Sequence, residues 1–298
     1  MGSPNAQHSI DEDHTIMKSP TQDTGPVPQE LLIEAGRTEK HYWKDLWRYR
    51  ELFGFLAWRD LLVRYKQTAL GIIWALLRPL LTMVVFTVIF GKIAKLPSDG
   101  IPYPVLVFAG MLPWTFFSSA LSEASSSLVA NSNLITKIYF PRIILPVSSV
   151  VVAFVDFLIS FVLLIGVMIF YGMMPGLRLL AIIPLTALAF LAALGPGLLI
   201  TALNVKYRDF RYIIPFIVQF GLYISPVGFS SSMIPENYRL LYSLNPVVSV
   251  IDGFRWAING SVPLHWGGFL CSVMTSVCFL MLGIYVFRRT EKTFADVI

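Results

Sequence analysis

Long runs without a charged side chain constrain this sequence more than any other feature. Residues 100–122, 179–205 and 212–235 contain 23, 27 and 24 consecutive residues that carry no formal charge. A helix needs about 20 apolar residues to cross the hydrocarbon core of a bilayer, which is about 30 Å thick. Hydrophobic residues make up 55% of the 298-residue chain and charged residues only 14%. The sequence therefore predicts an all-α polytopic membrane protein.

The apolar runs resolve into six predicted transmembrane helices. We place them near residues 70–92, 103–128, 142–171, 178–203, 212–231 and 265–287. With the N-terminus in the cytoplasm, eighteen of the 23 Lys and Arg residues fall on the inner side and five on the outer side. Loops rich in Lys and Arg stay in the cytoplasm. We therefore expect both termini, and the loops after the second and fourth spans, to be cytoplasmic.

Two further segments precede the first span. Residues 1–40 are polar and contain four prolines, among them Pro20, Pro26 and Pro28, which predicts a flexible tail. Residues 41–67 carry an apolar stripe of Leu46, Tyr49, Phe53 and Leu56, beside three tryptophans and many basic residues. This pattern predicts an amphipathic helix in the membrane interface, with the face of an ordinary soluble helix as the alternative. Residues 68–298 would then form the transmembrane domain.

The first inner loop begins the stretch NSNLITKIYFPRIILP, residues 131–146. Asn131 or Ser132 can cap a short helix, and Pro141 disfavours helix at the residue before it. Such a helix would present apolar side chains to a partner at the membrane surface. The second inner loop, NVKYRDFRYIIP at residues 204–215, repeats this arrangement. Either loop alone could simply connect two spans, but the pair suggests a docking surface.

Residues 233–264 do not fit a plain six-span topology, because they are too apolar for a solvated loop and are cut by three prolines. Backbone within a membrane must be helical or shielded by protein. We therefore predict two short re-entrant helices, near 236–244 and 246–259. An amphipathic surface loop is the alternative.

The ionisable residues do not indicate catalysis. Asp156 falls in the middle of the third span, where an ionisable residue suggests a buried contact or a hydrated cavity, and Glu123 lies toward the inner end of the second. The sequence contains no Ser/His/Asp or Cys/His arrangement, no paired carboxylates and no metal-ligand spacing. It also lacks the GxxxxGK[ST] loop that binds nucleotide phosphates. These absences give no support for hydrolysis or glycosyl transfer.

Four stretches together resemble the membrane subunits of ABC-2-type exporters of O-antigen, capsule and teichoic acid. They are RDLLVRYKQTALGIIWALLRPL (59–80), NSNLITKIYFPRIILP, NVKYRDFRYIIPFIVQFGLYISPV (204–227) and IPENYRLLYSLNPVVSVIDGFRW (234–256). The resemblance covers about residues 45–290. It implies a homodimer in the bacterial inner membrane that pairs with two copies of an ATP-binding subunit. That partner would hold the ATP and Mg²⁺, and a lipid-linked polysaccharide would be the substrate; nothing suggests nucleic acid.

The resemblance also implies roles for individual residues. The residues expected to couple the permease to the ATPase are Asn131, Leu134, Ile135, Lys137, Ile138, Tyr139, Arg208 and Asp209. Those expected in the outer gate are Tyr238, Leu241, Asn245, Pro246 and Arg255.

The expected channel lining rests on aromatic stripes, because aromatic planes suit the C–H faces of a glycan. These stripes contain Phe86 and Phe90 on the first span and Phe216, Phe220 and Tyr223 on the fifth. Packing or lipid contact is the alternative for these rings. An ABC-2 permease for small lipids or drugs is the alternative for the whole chain. An ion-coupled secondary transporter is weakly supported, since Asp156 alone would have to supply its midplane site.

Overall fold

The computed structural model describes residues 42–66, 71–207, 209–260 and 264–294. The predicted tail, residues 1–40, and Arg208 lie outside the described residues. Within the described ranges the regular structure is helical and no strand occurs. The α-helices are α1 (Tyr42–Arg48), α2 (Arg50–Lys66), α3 (Gly71–Phe86), α4 (Tyr103–Ala130), α5 (Ser132–Ile135), α6 (Ile144–Phe170), α7 (Ile182–Lys206), α8 (Phe210–Ile224), α9 (Glu236–Tyr242), α10 (Pro246–Asn259) and α11 (Trp266–Glu291).

Five helical segments are long and apolar enough to cross a membrane. They are Leu76–Ile93, which continues α3 through a π-helical turn, then α4, α6, α7 with its preceding 3₁₀ turn, and α11. These segments confirm the prediction of an all-helical polytopic membrane protein. The span predicted near 212–231 contains α8, which has only 15 residues. At 1.5 Å per residue α8 is about 22 Å long, less than the hydrocarbon core.

The main core forms around α4, which packs against α6, α7 and α10. In the most apolar 18-residue stretch of α4, 72% of the residues are buried. In the first span, Leu76–Ile93, only 6% are buried. Phe116 of α4 lies at the centre, with its ring centroid 5.5 Å from that of Phe157 on α6 and 6.2 Å from that of Phe190 on α7. Because α3 is so little buried, most of its surface remains for lipid or for another chain.

The helices α7 and α11 approach each other closely at a pair of glycines. A β-carbon at Gly195 would lie 2.6 Å from the backbone nitrogen of Leu280, so any larger residue would force the helices apart. Gly283 of α11 faces the carbonyl of Gly195 in the same contact. Small residues permit such backbone approach in membrane helices, where van der Waals packing drives association.

A second apolar cluster, which we call the inner cluster, joins the helix ends near residues 131–143 and 205. The apolar stripe of the predicted interface helix packs here: Leu56 is 1% exposed, and Leu46, Tyr49 and Phe53 are partly buried. The predicted helix over 41–67 is thus two helices, α1 and α2. Their apolar face contacts the ends of the spans, because the loops and α11 provide a surface for it. The Trp43, Trp47 and Trp58 side chains stay exposed.

Two short helices occupy the outer segment between α8 and α11, at positions close to those predicted. α9 is largely exposed, whereas α10 is mostly buried against α4 and α7. Asn245 caps α10 through a hydrogen bond that its side-chain oxygen accepts from the Val247 N–H at 3.2 Å. Pro246 follows at the first helical position, where its missing N–H costs no hydrogen bond.

Candidate functional site

The segment from Asn131 to Arg142, which we call the docking segment, connects α4 to α6. Its helical part, α5, has only four residues. The Asn131 side chain does not cap α5, contrary to expectation. Its amide donates to the Ser127 carbonyl at 2.9 Å, and its oxygen accepts from the Arg59 guanidinium at 2.9 Å. Both polar groups of the side chain are therefore engaged away from α5.

The predicted coupling residues of the docking segment divide into two sets. Ile135 is 6% exposed and Leu134 is partly buried, so both side chains pack in the inner cluster of this chain. Lys137, Ile138 and Tyr139 are exposed, the last two by 53% and 54%. A partner protein can therefore reach the second set, whereas Ile135 mainly fixes the segment to the bundle.

The second inner loop is short, since α7 ends at Lys206 and α8 begins at Phe210. Asp209 is exposed at the N-cap position of α8, without a side-chain capping bond. A negative charge there is favourable beside the positive end of the helix dipole. Asp209 lies at the same end of the bundle as the docking segment, because Val205 belongs to the inner cluster.

The two carboxylates in the spans share one arginine. The Arg64 guanidinium of α2 bonds Glu123 of α4 at 2.8 Å and Asp156 of α6 at 2.8 Å. The Tyr65 hydroxyl also donates to Asp156. Ionisable groups at membrane depth normally pair in this way, because an unpaired charge there is expensive. Asp156 thus makes a structural contact, one of the two outcomes expected for it, and Glu123 bonds the same arginine.

A second polar contact lies at the other end of the docking segment. The Arg142 N–H donates to the Glu291 carboxylate at 2.7 Å, and the Arg142 guanidinium bonds the Glu291 carbonyl. Tyr42 of α1 is 3% exposed beside Glu291, and the Arg288 guanidinium lies 4.8 Å from the centre of its ring. Burial is the main cause that raises the pKa of the Tyr42 hydroxyl, and the negative charge of Glu291 raises this pKa further.

The predicted channel aromatics fall in two different environments. The α8 stripe is open, since Phe216, Phe220 and Tyr223 are 57%, 53% and 66% exposed. The ring centroids of Phe216 and Phe220 are 4.2 Å apart. Phe86 and Phe90 are half-buried, 5.4 Å apart, and pack around Gly228. A β-carbon at Gly228 would lie 2.9 Å from the Phe90 ring. The α8 stripe is therefore open to a ligand or partner, while the other pair holds the 225–230 turn.

The predicted gate residues surround a groove and a buried arginine. Tyr238 and Leu241 of α9 are exposed and line a groove of about 430 Å³ together with Asn245. Arg255 of α10 is only 3% exposed. Its guanidinium donates to the carbonyls of Leu106 at 3.3 Å, Val227 at 3.1 Å and Phe229 at 2.9 Å.

Residues that sequence reasoning missed are Arg59, Arg64 and Glu291, which hold the docking segment and the two span carboxylates. The signal for Arg64 was available, since two carboxylates in apolar spans require a cation within reach. In the part of the chain that the structure describes, no cluster of three or more His, Cys, Asp or Glu side chains could hold a metal ion.

A bundle of apolar spans, with short helices at both ends of the bundle, is typical of a membrane permease. The chain belongs to the ABC-2 type transporter family, whose model matches residues 51–259. It is 31% identical over 263 residues to the O-antigen export system permease protein RfbA of Myxococcus xanthus, covering 85% of this chain and 97% of that protein.

Two other relatives match with similar coverage. The chain is 29% identical over 242 residues to the O-antigen export system permease protein RfbA of Klebsiella pneumoniae, covering 80% of this chain and 92% of the relative. It is 23% identical over 239 residues to the polysialic acid transport protein KpsM of Escherichia coli, covering 78% of this chain and 91% of that protein. The family resemblance drawn from the four sequence stretches is therefore confirmed.

Proposed function

We propose that this chain is the permease subunit of an ATP-driven exporter that moves a lipid-linked, O-antigen-like polysaccharide out of the cytoplasm. The observation that carries the proposal is the match to an O-antigen export permease over 97% of that protein's length. ATP and Mg²⁺ would bind to a separate ATP-binding subunit. The permease would bind that subunit, the glycan and membrane lipids, with no role for nucleic acid.

The assembly would be a homodimer of this chain with two copies of the ATP-binding subunit. The exposed faces of α3 and α8 support this proposal, because Leu77, Leu81, Phe216 and Phe220 are large apolar side chains without cover in a single copy. In the inner membrane α8, extended by residues 225–231, would form the sixth span. Both termini would lie in the cytoplasm, as the distribution of Lys and Arg indicates.

Three parts of the permease would then have separate roles: contact with the ATP-binding subunit, lining of the glycan path, and gating. The exposed residues Lys137, Ile138 and Tyr139 would contact the ATP-binding subunit, together with Arg208 and Asp209 of the second inner loop. Asn131, Leu134 and Ile135 would anchor that surface to the bundle. The α8 stripe, with Phe86 and Phe90 behind the turn, would line the path. The re-entrant helices α9 and α10 would gate the outer mouth, through Tyr238, Leu241, Asn245, Pro246 and Arg255.

The proposal is tested by deleting the gene in its own cell and analysing the polyprenol-linked lipids by mass spectrometry. We expect a long glycan to accumulate on its carrier, on the inner face of the membrane, and a plasmid copy to clear it. An unchanged lipid pool together with loss of small-molecule efflux would contradict the proposal and favour a drug-type permease.

A further inference from the structure

Helix α2 is bonded to the membrane helices at two points, five residues apart. At the first point the Arg59 guanidinium donates to the side-chain oxygen of Asn131, where the docking segment begins. At the second point Arg64 bonds Glu123 and Asp156, which belong to different spans. Leu56 lies on the face of α2 between the two arginines and packs in the inner cluster. The helix is thus fixed by polar and apolar contacts together.

The second point lies well inside the spans. Glu123 is seven residues before the end of α4 at Ala130, and Asp156 is twelve residues after the start of α6 at Ile144. At 1.5 Å per residue these positions are about 10 Å and about 18 Å from the docking segment. Arg64 therefore joins α4 to α6 at a distance from the loop that links them.

This geometry bears on which helices are displaced when a force acts on the docking segment. α4 and α6 already pack against each other through Phe116 and Phe157, and the Arg64 bonds add α2 to this pair. With α4, α6 and α2 bonded at Arg64 and at Asn131, the three helices form a braced frame, through which a displacement of the docking segment would reach all three. Breaking the frame would leave the Glu123 and Asp156 carboxylates unpaired in a low-dielectric setting, which is unfavourable.

We infer that α2 is a strut that keeps the docking segment in register with α4 and α6, and that Arg64 is its positioning residue for energy coupling. The inference rests on the proposed function, because it assumes that force from an ATP-binding subunit enters at the docking segment. It assigns to α2 a task beyond lying in the membrane interface. Arg64 acts through the two span helices and does not touch substrate.

The test uses the complete transporter, purified with its ATP-binding subunit and placed in lipid nanodiscs or vesicles. Arg64→Ala leaves two unpaired carboxylates and is therefore prone to misfold. A neutral triple variant, Arg64→Gln with Glu123→Gln and Asp156→Asn, removes the strut bonds without stranding any charge. Arg50→Gln is the matched control, because Arg50 lies on the same helix and its guanidinium stacks on Trp47.

We expect the triple variant to assemble with the ATP-binding subunit and to hydrolyse ATP at the wild-type rate. Its export should fall about tenfold, which corresponds to about 1.4 kcal/mol of lost coupling. The Arg50→Gln complex should export normally. A triple variant that exports as much glycan per ATP as the wild type would overturn the inference.

A second readout does not depend on the glycan. Spin labels are attached at Phe55→Cys on α2 and Val162→Cys on α6, whose side chains are 65% and 69% exposed. Cys271 and Cys278 are first replaced by serine. The distance between the labels should stay constant with and without ATP in the otherwise wild-type protein, and change in the triple variant.

The two readouts separate two kinds of failure. A distance that changes equally in both proteins would disprove the strut. If the wild-type complex exports no glycan while the label distance behaves as expected, the proposed substrate is wrong and the strut stands.

Discussion

The backbone N–H of Arg142 donates a 2.7 Å hydrogen bond to the carboxylate of Glu291, 149 residues further along the chain. This contact fixes the last residue of α11 to the point where the docking segment ends. Arg59 holds the other end of the same segment through Asn131. The exposed residues Ile138 and Tyr139 thus lie on a short segment that is bonded at both ends to other helices.

The first prediction concerns Glu291→Ala. We expect it to lower the free energy of unfolding by about 1–3 kcal/mol, because it leaves the Arg142 N–H without its charged acceptor. The measurement is the thermal unfolding midpoint of the purified protein in detergent. Glu236→Ala is the control, since the Glu236 side chain is 89% exposed and lies 4.0 Å from Arg239. Equal midpoints for the two variants would show that the contact does not stabilise the fold.

The second prediction concerns Arg255→Lys. A lysine has a single ammonium group and cannot spread its donors over the three carbonyls that the guanidinium reaches. We expect a loss of about 1.5–3 kcal/mol and faster amide hydrogen exchange in α10. Arg239→Lys, on the exposed helix α9, should leave the exchange of α10 unchanged. Unaltered exchange in Arg255→Lys would mean that the apolar contacts of α10 suffice to hold it.

The third prediction concerns Ile138→Asp in the docking segment. Because Ile138 is 53% exposed, the substitution should not affect folding. It should weaken binding to the ATP-binding subunit, since a charge would replace an apolar contact at the interface. Co-purification of a tagged ATP-binding subunit measures the effect, with Ile138→Leu as the control. Undiminished recovery of the subunit with Ile138→Asp would place the interface elsewhere.

How much of this structure the sequence could predict depends on the kind of interaction. Five of the six predicted spans and the positions of α9 and α10 followed from apolar length and from proline positions, which are local properties, whereas the span predicted near 212–231 contains only the 15-residue α8. The role of Asn131 could not be predicted in this way, because its side chain bonds Arg59 and the Ser127 carbonyl instead of capping α5. The orientation of the α2 stripe also depended on tertiary contacts, since the inner cluster draws residues from both ends of the chain.

The last prediction concerns Phe220→Ala on the exposed stripe of α8. The Phe220 ring contacts Phe216 but is 53% exposed, so its loss should leave little cavity and preserve assembly. If the ring forms part of a glycan path, export per ATP hydrolysed should fall, because aromatic planes pack against the C–H faces of sugars. Phe170→Ala is the control, since Phe170 is 83% exposed at the end of α6. Loss of the assembled complex, with export per remaining complex unchanged, would instead show that α8 uses this ring to pack against a second copy of the chain.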